Sequence, residues 1–264
     1  MLPEYYEFKN SVKIISGKNA LENIPFELSN LEAKKPLILT TKSMIKNGQL
    51  DIVTNAMKNA NIEVGLIFKD IPQDSSIEIV NDISQLYKDN KCDSIVAIGG
   101  GSVIDTAKGV NMLVSTDATD LKDYMGLEML GGKLKPFIVV PSTSGTGSEA
   151  TLVSVIADPS RNVKMEFISY SILPDVAVLD PRMTLTLPPK LTASTGIDAL
   201  THSIEAFSGF QKNPISDVYA LTSIELISNY LEKAVVDGKD EKARLAMANA
   251  SLMAGVAFSN SMVG

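Results

Sequence analysis

Sulfur and imidazole are scarce in this chain. Its 264 residues include one cysteine, Cys92, and one histidine, His202. A single thiol excludes an internal disulfide or a thiolate metal cluster, and it fits a reducing compartment, so we predict a cytoplasmic protein. A catalytic metal needs at least three protein ligands, so a lone histidine leaves carboxylates to supply the rest.

Basic runs and long apolar runs are also lacking. The net charge is -7, with 24 Lys and Arg against 31 Asp and Glu, and no basic stripe that would favour nucleic acid. Residues 1–10 carry acidic and aromatic side chains instead of an export signal. The apolar stretches are strand-sized, far short of the roughly 20 residues that span a bilayer, so we predict no membrane association. Neither a P-loop nor a G-x-S-x-G elbow occurs.

Short β-rich runs alternate with amphipathic helical segments as far as Pro181. Such alternation predicts an α/β fold with a mostly parallel sheet and helices on both faces. The predicted strands are residues 36–40, 64–68, 94–98, 137–140 and 176–179. The predicted helices between them are residues 45–60, residues 77–90 and a third that begins at Val103.

The strand signals stop after residues 187–189, and the rest of the chain is predicted to be helical. The three predicted helices are residues 193–208, 214–231 and 242–258. The last one is apolar or small on nearly every face, which predicts burial inside a bundle. Because it lies at the end of the chain, we expect its cover to be missing or to come from another subunit.

A glycine-rich turn follows the strand predicted at residues 94–98. Gly99, Gly100 and Gly101 precede Ser102 at the start of a helix. Residues without a Cβ let backbone N–H groups approach an anion, and the helix dipole favours negative charge there. This turn is therefore predicted to bind a diphosphate. Ser102 and Asp105 also form a capping-box-like pair, so part of the motif has a helix-starting role.

A second loop, PSTSGTGSEAT at residues 141–151, also follows a strand and offers five hydroxyl groups before Glu149. Such a loop binds phosphate or ribose, or its hydroxyls bond to its own backbone, and the sequence leaves both readings open. Gly145, Gly147 and Ala150 formally match G-x-G-x-x-G/A. That fingerprint normally opens the first βαβ unit, so we interpret the match as coincidence.

Asp198 and His202 lie four residues apart in a predicted helix, which stacks them on one face. A carboxylate and an imidazole suit Fe(II), Zn(II), Mn or Co, while the simpler alternative is an ordinary hydrogen-bonded pair. Glu205 is the only spare carboxylate nearby. Two ligands from one helix give a weak site, so we expect little tightly bound metal in this chain.

Four motifs together resemble the group III metal-dependent (iron-containing) alcohol dehydrogenases, similar to butanol and 1,3-propanediol dehydrogenases. They are GGGSVIDTAKG at 99–109, PSTSGTGSEAT at 141–151, ILPDVAVLDPRMTLTLP at 172–188 and TASTGIDALTHSIEAF at 192–207. The resemblance covers essentially the whole chain. It implies an NAD(P)-binding α/β domain, residues 1–183, followed by a partial α-helical metal-binding domain, residues 184–264, in a dehydroquinate synthase-like architecture.

The resemblance also assigns roles to individual residues. The pyrophosphate would bind at Gly99, Gly100, Gly101 and Ser102. The phosphates, ribose or nicotinamide end would contact Thr143, Thr146 and Lys164. Two of the four ligands to Fe(II) or Zn(II) would be Asp198 and His202. The family's two further histidines lie beyond a segment similar to residues 258–264, so we expect a C-terminally truncated chain that is incomplete for catalysis.

The implied activity is metal-assisted hydride transfer between a small alcohol, or its aldehyde, and the nicotinamide, in a homodimer or larger assembly. Thr41 stands where NAD-preferring members have Asp, an acid that bonds the ribose 2′-OH and repels a 2′-phosphate. Thr41 beside Lys42 therefore favours NADP over NAD. Alternatives are a non-catalytic nucleotide-binding fragment and a dehydroquinate synthase-like lyase, which the few basic residues near 198–212 disfavour.

Overall fold

A computed structural model describes residues 3–116, 118 and 120–261, and its centre is a six-stranded parallel sheet in the order β1-β9-β6-β4-β2-β3. A smaller sheet has the order β5-β8-β7. The strands are β1 Lys13–Ser16, β2 Pro36–Leu39, β3 Leu66–Phe68, β4 Ser94–Gly99, β5 Gly126–Leu127, β6 Phe137–Pro141, β7 Val153–Asp158, β8 Val163–Ile168 and β9 Val176–Leu179. The predicted α/β fold with a mostly parallel sheet is confirmed. Residues 262–264, the end of the segment that precedes the family's further histidines, lie outside the described residues.

Helices cover both faces of the large sheet. They are α1 Ile24–Asn30, α2 Lys42–Lys46, α3 Gln49–Asn59, α4 Ile77–Asp89 and α5 Gly101–Ser115. Within β4, Ile95 and Ala97 belong to the core on the side of α4 and α5. Val96 and Ile98 belong to the core on the side of α1 and α3. Because β4 is buried on both faces, its sequence is continuously apolar.

The single helix predicted at residues 45–60 is wrong, because the chain forms two helices, α2 and α3. They meet at Gly48, which adopts φ 74°, a left-handed conformation that glycine accepts without strain. Met44 of α2 and Leu50 of α3 nevertheless enter the same core. The helical spacing of apolar residues therefore continues across the break at Gly48. For this reason the pattern predicts one helix instead of two.

The small sheet was not predicted. β7 and β8 pair antiparallel, and β5 joins β8 in parallel. Met165 and Phe167 of β8 are buried, whereas Lys164 and Glu166 are exposed. This alternation is a strand signal, but the charged outward positions of β8 make this segment resemble a polar connection when its sequence is considered alone. The edge strand β1, which is mostly exposed, was also missed.

Three packed helices form the second part of the chain, as predicted: α6 Pro189–Ser208, α7 Pro214–Val236 and α8 Glu241–Ser259. The expectation that α8 lacks cover is wrong. Its residues Ala248, Leu252 and Val256 share a core with Val12 and Leu179 of the α/β part. A helix that is apolar on all faces is expected to be buried, but its sequence does not show which segments bury it.

The sheet ends at Leu179 and the helical part begins at Pro189. A domain boundary between residues 183 and 184 stays a prediction. Among the helices of the described residues, none combines the length and the apolar character needed to cross a membrane.

Candidate functional site

The strand order creates a crevice at one edge of the large sheet. From β2 the chain continues outward to β3, whereas from β4 it continues to β6 on the opposite side. The carboxyl ends of β2 and β4 therefore flank the point where the winding reverses. Doubly wound sheets bind ligands at this point, outside the carboxyl ends of their strands.

The first glycine turn opens α5 directly. Gly100 is the N-cap residue, and no side chain caps the helix. The capping-box prediction is wrong, because Ser102 donates its hydroxyl to the Gln73 carbonyl and Asp105 accepts from Ser148. The backbone N–H groups of the first turn consequently have no side-chain acceptor. They are suited to receive an anion, which the helix dipole also favours.

The two loops lie so close together that a side chain on either of two glycines would crowd a threonine of the second loop. A Cβ atom on Gly101 would lie 3.0 Å from Thr146 Cγ2, and one on Gly100 would lie 3.2 Å from Thr143 Oγ1. Gly99 has a different role, because its Cβ would lie 2.4 Å from Val103 Cγ2 within the strand-to-helix turn. Gly100 and Gly101 thus keep open a cradle that a side chain would fill.

A cavity of about 170 Å³ lies beside this contact. Four of the predicted residues line it, namely Gly101, Ser102, Thr146 and Lys164. Its other lining residues are Asp74, Ser75, Asp105, Val155 and Ala157. Such a volume suits one phosphate or sugar group. Thr41, Gly99, Gly100 and Thr143 do not line it, and neither do Asp198 and His202.

A larger cavity of about 900 Å³ is lined by residues of α1 and α3, including Phe26, and by residues 61–63 just before β3. It contains none of the predicted site residues. The segments around it precede β2 and β3, so it lies at the amino ends of the strands. We favour the smaller cavity as the functional one because ligands of parallel sheets bind at the carboxyl ends.

Thr41 follows β2 on the other side of the crevice and is the N-cap residue of α2. Its backbone forms an antiparallel bridge with Asp70. Lys42 Nζ lies 2.5 Å from Asp70 Oδ1, and both side chains are largely exposed. Exposed ion pairs contribute only about 0–1 kcal/mol, so the Lys42 ammonium is free to exchange Asp70 for another anion.

Asp198 and His202 lie on one face of α6, with 3.9 Å between Asp198 Oδ1 and His202 Nε2. The Nδ1 atom of His202 is buried and has no partner among the described residues, and the ring packs against Phe258, 4.8 Å between centroids. A Cβ atom on Gly145 would lie 3.2 Å from Asp198 Oδ2, so the second loop reaches this carboxylate. The two side chains offer donors that suit a metal. Throughout the described part of the chain, no third histidine, cysteine or carboxylate joins them in a metal-binding cluster.

A buried charged group behind the cradle was missed by the sequence analysis. Lys108 of α5 is fully buried, which lowers the pKa of its ammonium to about 8 despite the nearby carboxylate of Asp105. Burial raises the pKa of Glu149 to about 7 and also raises the pKa of Asp105. The available signal was the spacing of Asp105 and Lys108, three residues apart in an otherwise uncharged helix.

Comparison with known families gives two consecutive matches. Residues 11–181 match the model described as "Iron-containing alcohol dehydrogenase". Residues 192–264 match the model described as "Fe-containing alcohol dehydrogenase family, C-terminal". Both motif-bearing parts of the chain are therefore covered, in the order that the sequence resemblance implied.

Individual relatives are similar over nearly all of the chain. It is 37% identical to the NAD-dependent methanol dehydrogenase of Bacillus methanolicus, covering 95% of this chain and 65% of that protein. It is 41% identical to the NADPH-dependent butanol dehydrogenase of Clostridium saccharobutylicum, covering 95% and 64%. A crystal structure of 1,3-propanediol oxidoreductase superposes with a TM-score of 0.95 at 35% identity, covering 99% of this chain and 68% of that one. The chain thus spans somewhat under two thirds of these two curated relatives.

Proposed function

Because the chain belongs to the iron-containing alcohol dehydrogenase family, we propose that it forms the dinucleotide-binding part of an NAD(P)-dependent alcohol dehydrogenase. The observation that carries this proposal is the cradle between the two loops, where Gly101 and Thr146 meet at the uncapped start of α5. The same protein would run in reverse as an aldehyde reductase.

Different residues around the cradle bind different parts of the dinucleotide. The first-turn N–H groups of α5, with Gly99, Gly100, Gly101 and Ser102, bind the pyrophosphate. Thr143 and Thr146 add hydroxyl groups from the second loop, and Lys164 brings a positive charge from β8 to the cavity wall. Thr41, across the crevice at the end of β2, faces the ribose that carries the 2′ substituent.

Asp198 and His202 would hold one side of a metal ion, either Fe(II) or Zn(II), and further donors have to complete its coordination. When bound, the nicotinamide supplies the hydride acceptor and the metal supplies a Lewis acid for the alcohol oxygen. The contact between Gly145 and Asp198 supports this proposal, because the second loop lies next to that carboxylate. The two-donor set also supports a second candidate function, nucleotide binding without turnover.

The substrates that we propose are small primary alcohols or diols and their aldehydes, in keeping with the relatives named for methanol, butanol and 1,3-propanediol. A cytoplasmic homodimer or larger assembly is proposed by analogy with the family alone. For the cofactor we favour NADP over NAD on the basis of Thr41. The relatives include both an NAD-dependent and an NADPH-dependent enzyme.

Titration calorimetry with NADH and NADPH tests the proposed binding site. The change Lys164→Met is expected to raise the Kd of both dinucleotides at least tenfold, since a hydrogen bond to a charged group contributes about 1.5–3 kcal/mol. The matched control is Lys88→Met, which removes an exposed lysine at the far end of α4 and should leave both Kd values unchanged. Failure of the unmodified chain to bind either dinucleotide would rule out the proposed function.

The choice between cofactors is tested by Thr41→Asp. The new carboxylate is expected to bond the ribose 2′-OH and repel a 2′-phosphate, which raises the NADPH-to-NADH ratio of Kd values at least tenfold. Asn55→Asp, which adds the same charge to an exposed position of α3, is the control. If the unmodified chain already binds NADH far more tightly than NADPH, the preference that we assign to Thr41 is wrong.

A further inference from the structure

Lys108 is the most deeply buried cation beside the cradle, and none of its bonding partners lies in its own helix. Its Nζ donates to the Thr151 carbonyl at 2.8 Å and the Val153 carbonyl at 2.7 Å. It also lies 3.1 Å from Ser148 Oγ and 3.1 Å from Thr151 Oγ1. An ammonium has three protons, so these four acceptors satisfy it completely. All four belong to the last part of the second loop and the strand that follows it.

Asp105 strengthens the same connection from one turn earlier in α5. Its Oδ1 accepts from Ser148 Oγ at 2.8 Å, and its Oδ2 accepts from the Val155 amide at 3.2 Å. Ser148 thus links the two charged groups. Removing a lysine from water costs several kcal/mol unless its partners compensate, so this arrangement persists only while the loop stays in place.

The other attachments of the second loop lie elsewhere along it. Ser142 donates its amide to the Gly99 carbonyl at 2.9 Å, which fixes the start of the loop to β4. Gly147 packs against Gly255 of α8, which fixes the middle. Lys108 holds the end of the loop, after Thr146. Between these points, Thr143 and Thr146 have their contacts with Gly100 and Gly101.

We infer that Lys108 is a positioning residue for the dinucleotide site: through Ser148 and Thr151 it holds the second loop against the start of α5. This inference rests on the proposed function, and it adds a residue that lies outside the cavity lining. Lys108 touches no ligand itself. Its loss leaves Thr143 and Thr146 in the chain but no longer fixes their distance from the helix start.

The test compares Lys108→Met with Arg244→Met in calorimetric titrations with NADH and NADPH. Arg244 is also a buried cation that donates to backbone carbonyls, those of Leu187 and Gly238, but it lies in the helical part. Both changes destabilise the protein. Lys108→Met is expected to weaken dinucleotide binding at least tenfold, whereas Arg244→Met leaves the Kd within about twofold. Equal Kd values for Lys108→Met and the unmodified chain would overturn the inference.

Hydrogen exchange supplies a readout that a general loss of stability does not mimic. Lys108→Met is expected to accelerate exchange selectively in residues 142–151, while Arg244→Met accelerates it in the helical part. If Lys108→Met does not fold, Ser148→Ala decides, with Ser154→Ala as the matched control. Ser154 donates only to the Asp105 carbonyl and does not meet Lys108. Binding that is weakened severalfold by Ser148→Ala alone supports the inference, and equal effects of the two serine variants overturn it.

The outcomes separate this inference from the proposed function. If the unmodified chain binds neither NADH nor NADPH, the proposed function is ruled out, independently of the role of Lys108. An unmodified chain that binds a dinucleotide, together with a Lys108→Met variant that binds equally well, removes only the role of Lys108.

Discussion

Replacing Gly147 by alanine is expected to lower the free energy of unfolding by about 3 kcal/mol, because the site has neither the space nor the backbone conformation for a side chain. Gly147 adopts φ 62°, where an L-residue costs roughly 1–2 kcal/mol. Its Cβ would lie 2.6 Å from the Ser251 carbonyl oxygen and 2.7 Å from Gly255 Cα. These are backbone atoms of α8, and overpacking of this kind costs about 1–3 kcal/mol.

Chemical denaturation measures this change, and Gly131→Ala provides the control. A Cβ on Gly131 would have no atom within 4 Å, so its stability should stay within about 0.5 kcal/mol of the unmodified chain. The Gly147 variant should also bind NADH and NADPH more weakly, since the second loop has to move away from α8. Equal stability of the two alanine variants would show that the loop and α8 are not in contact as described.

Replacing Glu149 by glutamine is expected to stabilise the protein at pH 8 and to have little effect at pH 4. Burial raises the pKa of this carboxyl from 4.5 to about 7, and its Oε1 has no partner in the part of the chain that the structure describes. A raised pKa in the folded state means that stability is greatest below the unfolded value and is lost as pH rises through the folded one. At about 1.4 kcal/mol per pKa unit, the loss by pH 8 is roughly 3–4 kcal/mol, which glutamine avoids.

Denaturation curves at a series of pH values test this sign. The difference between the Glu149→Gln variant and the unmodified chain should grow from pH 4.5 to pH 7 and then level off. Glu166→Gln changes an exposed glutamate of β8 and should leave the pH profile as it was. A difference that shrinks as pH rises would mean that the Glu149 carboxylate is held by partners instead of being penalised by burial.

The sequence predicts those parts of the fold in which the local pattern of apolar and polar residues is compatible with only one type of secondary structure. The continuous apolar run of β4, followed by three glycines, predicts both a central strand and the turn into a helix. The prediction fails for segments whose pattern is compatible with two types of structure. The pattern of Met44 and Leu50 runs through the break at Gly48, and Lys164 and Glu166 make a strand resemble a polar loop.

The candidate site shows the same division between local and distant information. Gly101, Ser102, Thr146 and Lys164 were singled out by resemblance, and the structure brings all four to one cavity. The bonds of Lys108 were not predictable, because their acceptors lie about 40 residues away along the chain. In the sequence, a lysine that will be buried cannot be distinguished from an exposed lysine of a helix, because the loop that buries it is distant along the chain. Only the tertiary fold distinguishes the two.

The contact between Gly147 and Gly255 has a consequence for synthesis on the ribosome. The residues of the cradle emerge before α8, which covers the second loop and lies about 100 residues further along the chain. Contacts between segments so distant in the chain form slowly because the intervening loop must close first. A nascent chain therefore carries the sheet and its glycine turn while the hydroxyl-bearing loop is still uncovered, and the proposed nucleotide site is covered only after α8 has emerged.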